Sequence, residues 1–308
     1  EYDGIRFSGF QRQTSNESSA ATLAAANVKQ PARPSKRRRF EESTGKVMPT
    51  SSTIQDCLER ALLGWTGSQT VDELKLKGAG RTDKGVHARG QIVVIQVPHL
   101  FEGKEEWELC RATNSRLPDD IVVLAFKLCE KDGFCPRKDV KLKQYSYTLK
   151  FRRKVMDANE KVLPLCNGGM HTLRRAHEPS CIWNCPWALD DSMFINLCKA
   201  LQGVHDFSCF VHKKERRKRD NNMELSNFDV VTLQESKEDV PVVTVKFVLE
   251  AEGFRRAMVR NLIGFVVDVS RGDLEMSHVD TVLSGTDEAS NLVNASPASG
   301  LCLEKVEY

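Results

Sequence analysis

One carboxylate of this sequence stands in a loop that suits a catalytic group. Asp83 lies within the stretch Gly-Ala-Gly-Arg-Thr-Asp-Lys-Gly-Val-His-Ala at residues 78–88, and a basic residue stands close to it on each side. The three glycines of this stretch permit tight turns and close approach of the backbone to a ligand. An ionised carboxylate held there can act as a nucleophile. The alternative interpretation is a hairpin turn in which Asp83 caps its own backbone.

The glycines do not fit the known nucleotide-binding motifs. A phosphate-binding P-loop needs Lys-Ser or Lys-Thr after its second glycine, whereas Gly85 is followed by valine and histidine. A dinucleotide fingerprint needs a third glycine three residues after Gly80, and Asp83 occupies that position. Both nucleotide-binding interpretations therefore fail.

A second chemical feature lies in the predicted helix at 254–270. This segment is apolar almost all round, which predicts a buried helix. Arg256, Arg260 and Gly264 form a narrow stripe at four-residue spacing. Because a guanidinium is costly to bury unless a carboxylate meets it, we expect an acidic partner, and Asp83 is the candidate. The alternative is a structural ion pair with another acid.

Composition is typical of a globular protein with two domains. The chain has 308 residues, of which 40% are hydrophobic and 28% charged, with a net charge of +3. Basic residues cluster at 36–39, 152–154 and 213–219, which indicates contact with a polyanion, although a single run is usually a solvated face. No apolar run approaches the ~20 residues that cross a bilayer, so no membrane contact is expected.

The ten cysteines are scattered, mostly within apolar patterns. In a chain of this length that pattern indicates reduced, buried thiols and an intracellular protein, in the nucleus, the cytoplasm or an organelle. One cluster has a second interpretation as a structural zinc site because its spacing falls in the zinc range. It comprises Cys166, His171, His177, Cys181 and Cys185. Packed thiols are the favoured interpretation, and no metal is predicted.

The segment at 14–50 is the clearest break in the pattern. It is dominated by Ser, Thr, Asn, Ala and Pro, followed by the basic run, and is too polar to offset its ordering entropy. We therefore expect a disordered insertion, whose basic run is a nuclear localisation signal, an RNA contact or a solvated loop. The chain is expected to divide into halves at 1–132 and 133–308.

Periodicity predicts an α+β fold in which helices cover one face of the sheets. In the first half a helix begins near 54 with Ser52 as its cap, and another covers 106–113. The predicted strands of that half are 74–77, a buried central strand at 91–97, and 121–129. The second half is predicted to have strands at 144–151, 226–235 and 241–250, and helices at 191–201 and 254–270.

Several segments together resemble the TruA-type tRNA pseudouridine synthases. The loop at 78–88 resembles the family's G-R-T-D-x-G-V-H-A signature, and further matches occur in family order along the chain. They are the segments at 1–13, 114–121, 144–147, 205–210, 258–264 and 299–303. Phe10 stands where the family more often has Trp, and Lys143 and Gln144 stand where it commonly has arginines.

The resemblance implies a fold, an activity and roles for residues. It implies two ferredoxin-like halves with antiparallel sheets, related by pseudo-twofold symmetry, with the active site in the cleft between them. Asp83 would be the catalytic residue and Arg260 its partner, Tyr145 would stack on the flipped base, and Arg81 would hold the extruded nucleotide. The residues expected to contact RNA are Arg12, Lys213, Lys214, Arg216 and Arg217.

The expected reaction is isomerisation of uridine to pseudouridine in the anticodon stem-loop, around positions 38 to 40 of tRNA, without cofactor or metal. The expected partner is tRNA, and a homodimer is compatible with the resemblance. Two other classes stay open. One is a non-catalytic RNA-binding protein or tRNA chaperone on the same scaffold, and the other is a zinc-dependent nucleic-acid module.

Overall fold

The computed structural model describes residues 1–12, 52–97, 102–155, 173 and 178–308. The predicted insertion at 14–50 lies outside these residues, as do Cys166, His171 and His177 of the cysteine-histidine cluster. Within the described residues the helices are α1 (Ile54–Thr66), α2 (Val71–Leu74), α3 (Glu106–Asn114), α4 (Phe194–Leu201), α5 (Met258–Arg271) and α6 (His278–Leu283). None of them is long and apolar enough to span a membrane.

The strands of the described residues include several of only two residues. They are β1 (Lys77–Gly78), β2 (His87–Ala88), β3 (Val93–Val94), β4 (Leu142–Arg153), β5 (Trp183–Leu189), β6 (Gly203–Asp206), β7 (Asn222–Leu225), β8 (Asn227–Glu235), β9 (Val242–Ala251) and β10 (Leu301–Glu307). The α+β prediction is therefore confirmed.

The main sheet has six strands and is built around β4. Its order is β2-β10-β4-β9-β8, and β5 also pairs with β4. Strands β9 and β10 run antiparallel to β4, whereas β5 runs parallel to it. Alternate side chains of β4, namely Tyr147, Leu149 and Phe151, are fully buried in the core. The three long strands β4, β8 and β9 were predicted because they are long and rich in β-branched and aromatic residues.

Helix α5 fills the core, as its apolar pattern predicts. Phe265 packs edge-on against Phe210 with ring centroids 5.9 Å apart, and almost every residue of the helix is buried. The helix begins at Met258 rather than at 254, because Ala257 takes a left-handed backbone conformation with φ of 63°. Arg256 consequently lies in the turn before the helix, not in its buried stripe.

All three strand predictions in the first half are wrong. The segment at 74–77 ends α2 at Leu74 and continues through Lys75 with φ of 42°, so only Lys77 lies in a strand. The run at 91–97 forms only the two-residue strand β3, which pairs with β1, and its valines are half-buried. It is not a central strand, because a β-branched run favours extended backbone without fixing its place in a sheet. The run at 121–129 makes one bridge, from Ile121 to Tyr2, and then exposes Leu124 and Leu128.

The last strand joins the loop at 78–88 to the main sheet. Strand β10 pairs in parallel with β2, placing Cys302 opposite His87 and Leu303 opposite Ala88. The other edge of β10 pairs with β4, where Leu303 lies opposite Tyr145. A single strand thus holds the loop that carries Asp83 beside the strand that carries Tyr145.

Candidate active site

The backbone on either side of Asp83 is held by two segments. The amide of Phe10 donates to the carbonyl of Thr82 at 3.0 Å, and the hydroxyls of Tyr2 and Thr82 are 2.7 Å apart. After Asp83 the chain turns through Gly85, whose φ of 81° favours glycine, and the Val86 amide donates to the Asp83 carbonyl at 3.2 Å. These contacts position the carboxylate on a supported loop.

Gln91 clamps the start of this loop, a role that the sequence analysis missed. Its side-chain amide donates to the Gly80 carbonyl at 3.1 Å and accepts from the Gly80 amide at 3.3 Å. The same nitrogen lies within donating distance of the Tyr2 hydroxyl, at 3.3 Å. In the sequence, Gln91 is only a polar residue at the start of the apolar run at 91–97, and that position does not indicate its hydrogen-bond partner.

The Asp83 carboxylate faces an arginine rather than its own backbone. Its Oδ1 lies 3.7 Å from Nε of Arg256, and the two side chains are 35% and 52% exposed. Within the described part of the chain the carboxylate caps no backbone amide, so the hairpin-cap interpretation finds no support. The pairing of a cleft arginine with Asp83 was predicted, but for a different arginine.

Arg260 makes another contact. Its Nε donates to the Ser296 carbonyl at 2.7 Å, while its own carbonyl accepts from the Ser296 amide and hydroxyl, each at 3.0 Å. Among the described residues it forms no ion pair with Asp83. The predicted contact between these two residues is therefore not seen. The reason is the turn at Ala257, which directs Arg256 to Asp83 and leaves Arg260 one turn further along, against Ser296.

Two tyrosines on the same face of β4 have different environments. The Tyr147 hydroxyl donates to the Pro297 carbonyl at 2.8 Å, and its ring is fully buried. Tyr145 packs edge-on against Phe254, with ring centroids 5.1 Å apart, and borders the cleft. Burial, with a smaller effect of the nearby Tyr2 and Asp83, raises the pKa of the Tyr145 phenol, so this hydroxyl is protonated at neutral pH.

These groups line one large cleft. Its volume is about 2670 Å³, which exceeds the usual 300–1,000 Å³ of a small-molecule pocket and suits a polymer. Asp83, Tyr145, Arg256 and Arg260 all border it, as does Arg81, whose side chain is exposed. An acidic group, an aromatic ring and several guanidinium groups therefore converge in one cleft.

Known proteins are similar to this chain over most of its length. The family model described as tRNA pseudouridine synthase matches residues 197–308. The chain is 31% identical over 271 residues to tRNA pseudouridine synthase A of Thermodesulfovibrio yellowstonii, covering 83% of this chain and 89% of the relative. The protein of the same name from Maridesulfovibrio salexigens is 32% identical over 269 residues, covering 85% and 84%.

The chain belongs to the tRNA pseudouridine synthase A family. A third relative of that name, from Geobacillus kaustophilus, is 31% identical over 266 residues, covering 85% of this chain and 88% of the relative. The resemblance predicted from the loop at 78–88 and the motifs after it is confirmed. Pseudouridine synthases are isomerases, so this family member is placed among the isomerases.

In this family member some of the predicted RNA-contacting side chains are exposed without an ion pair to another described residue, and others contact the protein itself. Lys213 and Lys214 are exposed, and Lys213 borders the cleft. Arg216 is only 12% exposed and donates from Nε to the Ser208 carbonyl at 2.9 Å, and it also contacts Ser290. Arg216 therefore holds a loop of the protein itself through the Ser208 carbonyl, and its contact with RNA stays a prediction.

The other two predicted RNA contacts have acidic partners. Arg217 is exposed and forms an ion pair with Asp287. Arg12 borders the cleft, with Nη1 3.6 Å from Glu59 Oε2, and the Glu59 side chain is nearly fully buried. Burial raises the pKa of Glu59, against the opposing effects of its hydrogen bond from Gln55 and the charge of Arg12. The guanidinium of Arg12 thus lies beside a buried carboxylate.

Two members of the cysteine-histidine cluster lie within the described residues, the half-buried Cys181 and the buried Cys185. Cys185 lies within β5 and is fully buried, and burial raises the pKa of its thiol to about 12. A zinc ligand must be a thiolate, which this environment disfavours. Among the described residues no three His, Cys, Asp or Glu side chains form a group that could hold a metal ion.

Proposed function

We propose that this protein converts uridine to pseudouridine in tRNA, with Asp83 as the nucleophile. The observation that carries the proposal is the placement of Asp83 on a clamped loop in a polymer-sized cleft, facing Arg256 and close to Tyr145. The names of its relatives supply the substrate and the reaction. The Arg256 guanidinium places a positive charge 3.7 Å from the carboxylate that would act as the nucleophile.

The reaction needs only groups of this kind. The bond between uracil N1 and ribose C1′ breaks, the freed base turns, and C5 bonds to C1′. The proton on C5 then leaves, and N1 ends with a proton, so the product is an isomer of the substrate. A carboxylate attacks the sugar or the base in the first stage, and a second group removes the C5 proton in the last.

The target uridine must leave its stack to reach Asp83, at a cost of a few kcal/mol. Tyr145 offers an aromatic surface beside the cleft on which the extruded base can stack. Arg81 stands two residues before Asp83, with its exposed side chain in the same cleft, and is proposed to hold the extruded nucleotide. Lys213 and Lys214 are proposed to contact phosphates further along the tRNA.

The target is proposed to lie in the anticodon stem-loop, around positions 38 to 40, as the resemblance implies. A cleft of about 2670 Å³ accommodates several nucleotides around an extruded base. We also propose two ferredoxin-like halves divided near residue 132. The junction of β2 with β10 supports this division, because it is where the strand of the first half joins the long sheet of the second.

The test is Asp83→Asn, which keeps the size and hydrogen-bonding capacity of the side chain but removes its charge and nucleophile. We expect tritium release from C5 of uridine-labelled tRNA to be lost while tRNA still binds. Asp229→Asn is the matched control, since Asp229 is exposed on β8 and does not border the cleft. Release of tritium by Asp83→Asn at the parent rate would overturn the proposal. Binding by the parent protein without any release would instead indicate a non-catalytic RNA-binding protein.

A further inference from the structure

Two basic residues beside the Asp83 loop have no role in the mechanism above. Arg137 and Lys143 border the cleft together with Arg81. Within the described part of the chain none of these three cations forms an ion pair with an acid. Two other cleft arginines do have an acidic neighbour, since Arg256 meets Asp83 and Arg216 lies 3.8 Å from Asp287.

Both residues hold the first backbone carbonyls of the loop at 78–88. The Nε of Arg137 donates to the Gly78 carbonyl at 3.1 Å, and Nζ of Lys143 donates to the Ala79 carbonyl at 3.0 Å. Lys143 lies two residues before Tyr145 on β4, so the two side chains share a face. A Cβ atom on Gly80 would lie 3.8 Å from both Lys143 Nζ and the Tyr145 hydroxyl oxygen. The lysine charge and the tyrosine therefore border the same point of the loop.

The three cations repel one another. Arg137 is exposed overall, but partial desolvation lowers its pKa, and the charge of Arg81 lowers it further. Burial likewise lowers the pKa of Lys143, with a second contribution from Arg137. Three positive groups in one region, none of them in an ion pair with another described residue, repel one another, and an anion placed between them would offset that repulsion.

The side chains also retain donors for such an anion. A guanidinium has five N–H donors and an ammonium group has three, and each of these two side chains makes one hydrogen bond to a loop carbonyl. The terminal nitrogens of Arg137 and two donors of Lys143 are left for a ligand in the cleft. Phosphate oxygens match this arrangement of several donors around one negative charge.

We propose that Arg137 and Lys143, together with Arg81, form a subsite for the tRNA backbone phosphate next to the extruded uridine. The subsite rests on the proposed function, since it assigns one phosphate of that substrate a fixed place beside Asp83. Filling it ties the substrate backbone to the same two residues that hold Gly78 and Ala79. Binding of the phosphate is thereby linked to the position of the catalytic loop.

Arg137→Gln separates the two roles of Arg137. The glutamine Nε2 stands at the same point along the side chain as the arginine Nε, so it can donate to the Gly78 carbonyl while the charge is lost. Arg137→Ala removes both the charge and the donor. Lys143→Met keeps the length of the side chain without its charge. Lys138→Gln is the control, because Lys138 is exposed next to Arg137 but does not border the cleft.

The measurements are tRNA affinity as a function of salt, in the Asp83→Asn background, and single-turnover tritium release with Asp83 intact. Arg137→Gln and Lys143→Met should each weaken binding about tenfold near 0.1 M salt and reduce the slope of log affinity against log salt by about one. For Arg137→Gln the loss of kcat/KM should fall mainly on KM. Arg137→Ala should also lower the saturating rate, and Lys138→Gln should match the parent in both measurements.

A parental salt slope for Arg137→Gln and Lys143→Met would overturn the subsite. So would a lower saturating rate for Arg137→Gln without a change of slope, since that result would leave only a loop-holding role. Protection of the parent against heat by inorganic phosphate, combined with unchanged tRNA slopes in the variants, would assign the site to free phosphate and likewise overturn the proposal. If the parent itself releases no tritium, the proposed function fails first, and that result is distinguishable from a failure of the subsite alone.

Discussion

Arg256 meets Asp83 across the cleft, with 3.7 Å between the guanidinium Nε and the carboxylate Oδ1. The pair joins the turn before α5 to the loop at 78–88, two segments that are far apart in the sequence. The left-handed conformation of Ala257 sets the direction of Arg256, and the Arg256 carbonyl accepts from the His212 amide at 3.1 Å. The arginine is thus placed by its own backbone rather than by the helix that follows it.

This geometry predicts different consequences for Arg256→Met and Arg260→Met. Arg256→Met should lower single-turnover tritium release by roughly 10- to 100-fold, because Asp83 loses its charge partner. Its melting temperature should change little, since a pair this exposed contributes at most about 1 kcal/mol. Arg260→Met should lower the free energy of unfolding by about 1–3 kcal/mol, because the Ser296 carbonyl loses its donor.

The two variants are compared by rapid-quench kinetics and thermal unfolding followed by circular dichroism. Activity is expressed per folded protein, so that the Arg260→Met result separates stability from chemistry. Normal turnover in Arg256→Met, together with severe loss in stable Arg260→Met, would show that Arg260 is the functional partner of Asp83, as the family resemblance implies.

Tyr145→Phe and Tyr147→Phe form a second matched pair on one strand. Tyr145→Phe keeps the ring that stacks on the base, so tRNA affinity should stay at the parent value. The rate of tritium release should fall by about 100-fold, because the hydroxyl is expected to relay the C5 proton. Tyr147→Phe should cost about 1 kcal/mol of stability through loss of the bond to the Pro297 carbonyl, with its catalytic rate retained.

Binding is measured by filter retention of labelled tRNA and the rate by single turnover. A parental rate in Tyr145→Phe would limit this residue to stacking. A lower rate in Tyr147→Phe than in Tyr145→Phe would show that Tyr147, and not Tyr145, relays the proton.

His87 makes the fold sensitive to acid. Its side chain is buried, its Nδ1 accepts from the Gly4 amide at 3.3 Å, and the same atom lies 3.2 Å from Asp3 Oδ1. Burial lowers the pKa of His87 below its ordinary value of 6.5, against the opposing charge of Asp3. The folded state therefore binds this proton less tightly than the unfolded state, and stability is lost as the pH falls below about 6.5.

The variant His87→Asn places Oδ1 where Nδ1 stands and cannot be protonated in this range. Its free energy of unfolding should therefore change less between about pH 7 and pH 5 than that of the parent. Urea titrations at several pH values measure the difference. Equal pH dependence in the two proteins would show that other groups cause the acid sensitivity.

The sequence predicts the elements whose signal is local and long. Strands β4, β8 and β9 and helix α3 were found with bounds close to those observed, since their periodicity extends over many residues. The partner of Asp83 was not predicted correctly, because the left-handed residue Ala257 decides which arginine faces it. An alanine in the sequence gives no sign of that conformation. The helix cap was also displaced by one position, from Ser52 to Thr53, whose side chain accepts from the Asp56 amide.

Site residues with distant partners were harder to identify. Three side chains donate to carbonyls of the loop at 78–88, namely those of Gln91, Arg137 and Lys143. The residues near them in the sequence do not indicate those acceptors. Arg216 was predicted to contact RNA because it belongs to a basic run, although its guanidinium is fixed on the Ser208 carbonyl. A charge run indicates net sign, whereas the contact of each member depends on the fold.

The last prediction concerns the chain that joins the first loop to α1. Three hydrogen bonds join the residues before this segment to those after it. The Ser8 amide donates to the Ser52 carbonyl at 3.0 Å, and the amides of Ile54 and Gln55 donate to the carbonyls of Gly9 and Phe10 at 3.2 and 2.9 Å. The two flanks are therefore hydrogen-bonded side by side, independently of what connects them. Deletion of residues 16–48 should leave the protein folded and active, because a short connection can bridge flanks that are already adjacent.

Thermal unfolding and tritium release test the deletion, and both should match those of the parent. A control deletion extended back through Phe10 removes a fully buried ring and the amide that holds the Thr82 carbonyl, so it should abolish folding. Insolubility of the shorter deletion would show that the removed residues contribute to the core. A folded deletion protein with weakened tRNA binding at low salt would instead assign the basic run at 36–39 to an RNA contact, since loss of cations from an interface lowers affinity most where screening is least.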